Sequence, residues 1–170
     1  VFTFPIEDYY RTVGFDFDQI PFSILAHEYM EDYQEKSYAC DLHSDVLDVV
    51  NKAKNLGFSQ TVLSASKMDY LLKQMKTLHV DDLFDSIYGI NDIYAKSKVE
   101  LAHAFKQTCS LDDEIYFVGD SVHDYEVAKS IGAKCILVTT GHQNRATLES
   151  VNVPVMDSLM ESLDFIYERD

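Results

Sequence analysis

The chain of 170 residues carries 29 acidic against 14 basic side chains, a net charge of −15, and 46% hydrophobic residues. That balance supports one well-buried domain with a small appendage and argues against a nucleic-acid surface, which needs clustered Lys and Arg. No apolar run reaches the roughly 18–20 residues that cross a bilayer and no charged-then-apolar leader opens the chain, so the expectation is a cytoplasmic protein with no membrane contact.

From the N-terminus, "IEDYYRTV" at 6–13 predicts a short helix and "GFDFDQ" a turn. Pro21 to Ser37 then predicts a longer amphipathic helix, because Phe22, Leu25, Ala26, Tyr29 and Tyr33 recur at helical spacing and Pro21 suits a first turn. The first 37 residues therefore read as all-helical.

After that the rhythm changes. Residues 44–56 predict a helix that Ser44 could cap and Gly57 could end, "QTVLSAS" a strand, and "KMDYLLKQMKTLHV" a helix. The alternation continues with strand "SIYGI" and a helix near 97–108, then strand "EIYFVG" and a helix near 122–131 stopped by Gly132. Strand "CILVTTG" and a helix from about Asn144 complete the pattern. Short strands that are apolar on both faces and separated by helices imply an α/β fold with a doubly wound, Rossmann-like parallel sheet. Cys40, Cys109 and Cys135 have neither CxxC nor zinc spacing and read as reduced, mostly buried thiols.

In such sheets ligands sit beyond the carboxyl ends of the strands. One strand ends at Ser64-Ala65-Ser66 and another at Gly119-Asp120-Ser121, with a second acid at Asp124. An acidic pair there is costly unless a cation or a hydrogen-bond network receives it. Lys96 and Lys98 open the helix near 97–108 and supply the local positive charge that an acidic protein needs to hold an anion. A hydroxyl, a lysine and paired acids suit a phosphoryl group with Mg²⁺, the carboxylates taking the cation and the others the phosphoryl oxygens.

The order of these residues resembles the haloacid dehalogenase-like (HAD) phosphatases, in particular the phosphoglycolate-phosphatase-like branch. "TVLSAS" looks like the family's second motif, "KSKVELAHAF" carries its third-motif lysine, and "FVGDSVHDYEVAKSIGAKCILVTTGH" is similar to the fourth motif and the segment after it. The resemblance implies Ser64, Ala65 and Lys98 as phosphate-binding residues, with Ser64 and Lys98 in the catalytic set and Lys96 competing for the lysine's role. It implies Asp120 and Asp124 as Mg²⁺ ligands, although Asp120 would also serve as a helix N-cap and Asp124 would suit a first helical turn in any case. His123 and His142 flank the site as surface or hydrogen-bonding histidines, and Tyr9, Tyr10 and Arg11 fit an ordinary packed helix face.

The family also opens with a strand ending in DxDGT, which supplies the nucleophile and the acid/base. The DxD in this chain is Asp16-Phe17-Asp18, followed by Gln19-Ile20 and preceded by "YYRTVGF", a poor central strand. The resemblance therefore places residues 1–37 in a helical cap and 38–170 in the α/β core, with the nucleophile upstream of Val1 and the 170 residues inactive and poorly folded by themselves. The implied activity is Mg²⁺-dependent hydrolysis of a small phosphorylated metabolite through an aspartyl-phosphate. A haloacid dehalogenase needs no metal and would have no use for the acidic pair. An inactive HAD-like binding module rests on the missing DxDGT alone, and a receiver-type signalling domain would place its acids before the hydroxyl and the lysine.

Overall fold

The computed structural model of the protein describes residues 6–90 and 97–169. They fall into two compact units, Val1–Asp41 and Leu42–Asp170.

The first unit is helical, with α1 (Ile6–Thr12) and α2 (Phe22–Ser37). Aromatic edges hold its turn together: the Tyr10 ring meets Phe15 at 5.1 Å and Phe22 at 5.8 Å, and Phe17 meets Phe22 at 5.4 Å. The Arg11 guanidinium lies 4.6 Å above Phe17. Asp16 begins this turn instead of ending a strand; its Oδ1 accepts the Asp18 N–H at 3.0 Å and its Oδ2 accepts the Gln19 side-chain amide at 2.9 Å. On α2 the predicted apolar stripe is only half realised. Phe22, Leu25 and Ala26 are half-buried, whereas Tyr29 and Tyr33, two turns farther from the aromatic cluster, are exposed and stack on each other.

The second unit alternates strands and helices as its periodicity predicts. In chain order it contains α3 (Val46–Asn55), β1 (Thr61–Lys67), α4 (Met68–Thr77), a 3₁₀ turn (Asp81–Leu83) and β2 (Ser86–Ile90). After these come α5 (Lys98–Lys106), β3 (Tyr116–Gly119), α6 (Val122–Ser130), β4 (Lys134–Val138), α7 (Arg145–Glu149), β5 (Val155–Met156) and α8 (Leu159–Tyr167). Every strand pairing is parallel. The strands form two sheets, β1-β2 and β3-β4-β5, and among the described residues β1 pairs only with β2 and β3 only with β4.

Both faces are covered, which makes the fold doubly wound. On β1, Val62 packs into the Leu71–Met75–Val80 cluster on the α4 side, while its neighbour Leu63 packs with Ala102 of α5 and Val127 and Ile131 of α6. On β4, Cys135 and Leu137 join Ala128 of α6 and Leu148 of α7, and α8 lies against the same strand. Burial and the nearby Asp124 charge push the Cys135 thiol up to about 12. Cys109 is half-buried and Cys40 exposed, so only one of the three thiols meets the expectation of burial. Among the described residues no helix is long and apolar enough to cross a membrane.

Two local devices shape the unit. Gly89 lets β2 pass the end of β1, since a Cβ there would lie 2.9 Å from the Met68 Cα and 3.0 Å from the Ser66 carbonyl. The β1–β2 register shifts between Leu63 and Lys67 at that approach. Elsewhere, the start of α3 caps a helix far away in sequence. Ser44, which the sequence suggested as a cap, is not used; the residue before α3 is Asp45, and its Oδ2 accepts the Leu159 N–H at 3.0 Å and the Met160 N–H at 3.2 Å in the first turn of α8. The Lys52 ammonium, 2.5 Å from Asp164, ties the same two helices. Asp45→Ala is therefore expected to cost about 1–2 kcal/mol of stability, and Asp45→Asn, which keeps an acceptor, clearly less. Urea denaturation checks this, and equal midpoints for Asp45→Ala and wild type would contradict the cap.

Candidate active site

β3 delivers the chain to Gly119, and the turn after it is built by a reciprocal helix cap. Ser121 is the N-cap of α6: its hydroxyl accepts the Asp124 N–H at 3.3 Å and donates to Asp124 Oδ2 at 2.7 Å. The same Oδ2 accepts the N–H groups of Asp120 and Ser121, each at 3.1 Å. Gly119 makes this possible, because a Cβ there would stand 2.4–2.7 Å from side-chain atoms of Asp124. The capping that the sequence allowed for Asp120 is thus performed by Ser121, and the signal was present in the Ser-x-x-Asp spacing.

Lys98 opens α5, where Ser97 caps by accepting the Glu100 N–H at 3.4 Å. Its Nζ lies 2.5 Å from Asp124 Oδ1 and 5.5 Å from the Phe117 ring centre. Among the described residues this is its one hydrogen-bond acceptor, which leaves two of the three ammonium donors for a ligand. Lys96, the competing lysine, lies outside the described residues.

The two acids are therefore in different states. Asp124 is 3% exposed and both its oxygens are engaged. The Asp120 side chain is 40% exposed; its Oδ2 accepts the His142 N–H at 3.4 Å and faces His142 Nδ1 at 3.2 Å. Among the described residues no donor reaches Asp120 Oδ1. Asp120 thus offers a hard carboxylate oxygen of the kind Mg²⁺ takes. No group of three or more His, Cys, Asp or Glu side chains that could hold a metal is found among the described residues.

Ser64 and Ala65 lie in the irregular stretch at the end of β1, in the other sheet. The Ser64 hydroxyl accepts the Ser66 N–H at 3.1 Å, and Ala65 is exposed. The structure brings Lys98, Asp120 and Asp124 into one connected network, and His142 with them; Ser64 stands apart with a local hydrogen bond. His123 pairs with Glu126 at 3.2 Å on the surface of α6. Gln143, whose Oε1 accepts the Val122 N–H at 2.8 Å, was not legible in the sequence, because no spacing links it to residues 21 positions away.

A family model described as haloacid dehalogenase-like hydrolase matches residues 1–138. No curated protein matches the sequence. Among solved structures, the chain is similar to a haloacid dehalogenase-like family hydrolase from Streptococcus pneumoniae at 22% identity and a TM-score of 0.82, covering 95% of this chain and 76% of that one. A predicted phosphatase from Clostridium acetobutylicum is similar at 19% identity and a TM-score of 0.78, with 95% and 76% covered. A predicted phosphoglycolate phosphatase from Haemophilus somnus is similar at 18% identity and a TM-score of 0.65, with 79% and 61% covered. At such identities the likeness carries the fold, not the substrate.

The electrostatics of the Lys98–Asp124 pair give the site a pH signature. Burial alone would raise the Asp124 carboxyl, but the Lys98 charge and the hydrogen bonds from Lys98, Ser121 and the Asp120 N–H outweigh it and hold the group below its ordinary 3.8. A depressed carboxyl contributes stability that is complete above its unfolded value and is lost as pH falls through the folded one. Lys98→Met leaves burial, the largest influence, unopposed by the ammonium and raises the folded carboxyl, so the acid-side loss of stability due to Asp124 should disappear. Urea denaturation between about pH 2 and 6 checks this. A Lys98→Met profile that loses stability over the same pH range as wild type would contradict the pairing.

Proposed function

The chain belongs to the haloacid dehalogenase-like hydrolases, and from that premise we propose that it forms the greater part of a Mg²⁺-dependent phosphatase acting on a small phosphorylated metabolite of the phosphoglycolate kind. The observation that carries this reading is the network beyond β3, in which one acid is locked to a lysine and the other keeps an oxygen free.

In this reading Asp120 is the direct cation ligand. Asp124 acts behind it, orienting Lys98 and the Asp120–Ser121 backbone. Bound there, Mg²⁺ would neutralise phosphoryl charge. The two remaining donors of Lys98 meet phosphoryl oxygens, and Ser64 with the Ala65 backbone meets them from the end of β1. The attacking carboxylate belongs to a DxDGT strand that pairs with the edges of β1 and β3 that are unpaired among the described residues. It bonds to phosphorus as the metabolite's oxygen departs with a proton from the second Asp of that motif, and water, giving a proton back to the same Asp, then cleaves the acyl-phosphate to regenerate the carboxylate and release phosphate. Residues 1–37 serve as part of the cap. The fully engaged turn around Asp16 gives no support to that residue as the nucleophile.

Calorimetric Mg²⁺ titration of the full-length protein tests the metal assignment, with Asp120→Asn expected to weaken binding about tenfold or more. Unchanged affinity would remove Asp120 from the site. For the lysine, Lys98→Ala in protein verified as folded is expected to lower kcat on a generic phosphate ester by about 100-fold. A loss under about threefold, alongside a large loss in Lys96→Ala, would transfer the role to Lys96.

A further inference from the structure

Three consecutive residues of the loop after β4 close on the turn after β3, and the proposed mechanism gives them no part. Gly141 lies so near Asp120 that a Cβ built on it would stand 1.8 Å from Oδ2, 2.4 Å from Cγ and 2.3 Å from Cβ of that residue. Rotating the carboxylate about χ1 would clear the first two atoms. It would not clear Asp120 Cβ, which is fixed to the main chain, so any side chain at 141 forces backbone apart. Next to it, the His142 N–H reaches Asp120 Oδ2 at 3.4 Å, with Nδ1 of the same histidine 3.2 Å from that oxygen. One residue on, Gln143 Oε1 accepts the Val122 N–H at 2.8 Å, an N–H in the first turn of α6 that has no partner within the helix. The loop therefore grips the turn on both sides of Ser121, at Asp120 and at Val122.

A carboxylate as exposed as that of Asp120 would otherwise exchange among rotamers. Contact with Oδ2 alone selects one of them and points Oδ1 away from the loop. We propose that Gly141, His142 and Gln143 are positioning residues, a strap that fixes the direction of Asp120 Oδ1 and so sets the affinity for the divalent cation. The inference rests on the reading of Asp120 as a cation ligand. The strap touches neither cation nor substrate; it acts through Asp120 and the first turn of α6.

The test is Mg²⁺ affinity measured by calorimetry on the full-length protein, with urea midpoints recorded for every variant. Gly141→Ala is expected to raise Kd about tenfold or more, and Gln143→Leu by about threefold. Asn144→Ala is the stability control: it removes the cap that accepts the Thr147 N–H at the start of α7 and has no contact with Asp120, so it should lower the midpoint and leave Kd unchanged. If Gly141→Ala does not fold, Gln143→Leu decides. Asp120→Asn separates the two levels. If it leaves Kd unchanged, the ligand assignment falls and the strap with it. If it weakens binding while the folded strap variants bind as wild type does, the strap alone is overturned. An increase in Kd for Asn144→Ala equal to that of the strap variants would show general loosening and would also overturn it.

Discussion

The second unit depends on a buried acid that meets its counter-charge. Asp124 is nearly inaccessible, and an ionised carboxylate so placed is tolerated only with a partner and with its remaining lone pairs satisfied. Lys98 provides the partner and the turn after β3 provides the donors. The pair also joins the two halves of the unit. α5 packs on β1 and β2, α6 packs on β3 and β4, and their N-terminal ends meet at this ion pair. Leu63 of β1 and Phe117 of β3 share one apolar cluster with both helices, so the bond between the helix ends and the packing along their lengths reinforce each other. Replacing either partner would leave an unpaired charge at the point where the two sheets are held together.

Much of this was legible in the sequence because the signals are local. Helical and strand periods give the alternation from residue 44 onward, and Gly132 ends α6 with a positive φ of 70°, as a C-terminal glycine should. The acids and the lysine stand out for a related reason: charges beside a buried strand need an explanation wherever they occur. Less legible were the features whose cause lies elsewhere in the fold. β5 has two residues and no period of its own, and α8 comes after it without the strand signal that would have announced it. Asp45 looks like a residue that starts its own helix, yet it serves another one. Gly141 is a loop glycine in the sequence and a contact requirement only once Asp120 is seen beside it.

The division of the acids is equally invisible in the motif. Two aspartates four residues apart look alike in the sequence, whereas the cap on α6 turns Asp124 inward and leaves Asp120 outward. The deciding residue is Ser121, which takes over the N-cap and frees the Asp120 carboxylate from that duty. A serine between the strand and the helix thus separates a buried, fully bonded acid from a half-exposed one. Ser64 and Ala65 depend on a different element, the β1–β2 register shift beside Gly89, so their geometry is set independently of the turn after β3.

The cap that Asp45 places on α8 spans 114 residues of chain. During synthesis on the ribosome, at about 5–20 residues per second, α3 exists for roughly 6–23 s before the backbone groups it serves have been made. For that interval the Asp45 carboxylate has only water to bond, and Lys52 lacks Asp164. The nascent chain can assemble β1, β2 and α4 early, because their contacts are close in sequence, but the face on which α3 and α8 meet closes only as the last turns of the unit emerge. Chaperones would therefore find this face open for as long as those 114 residues take to be made.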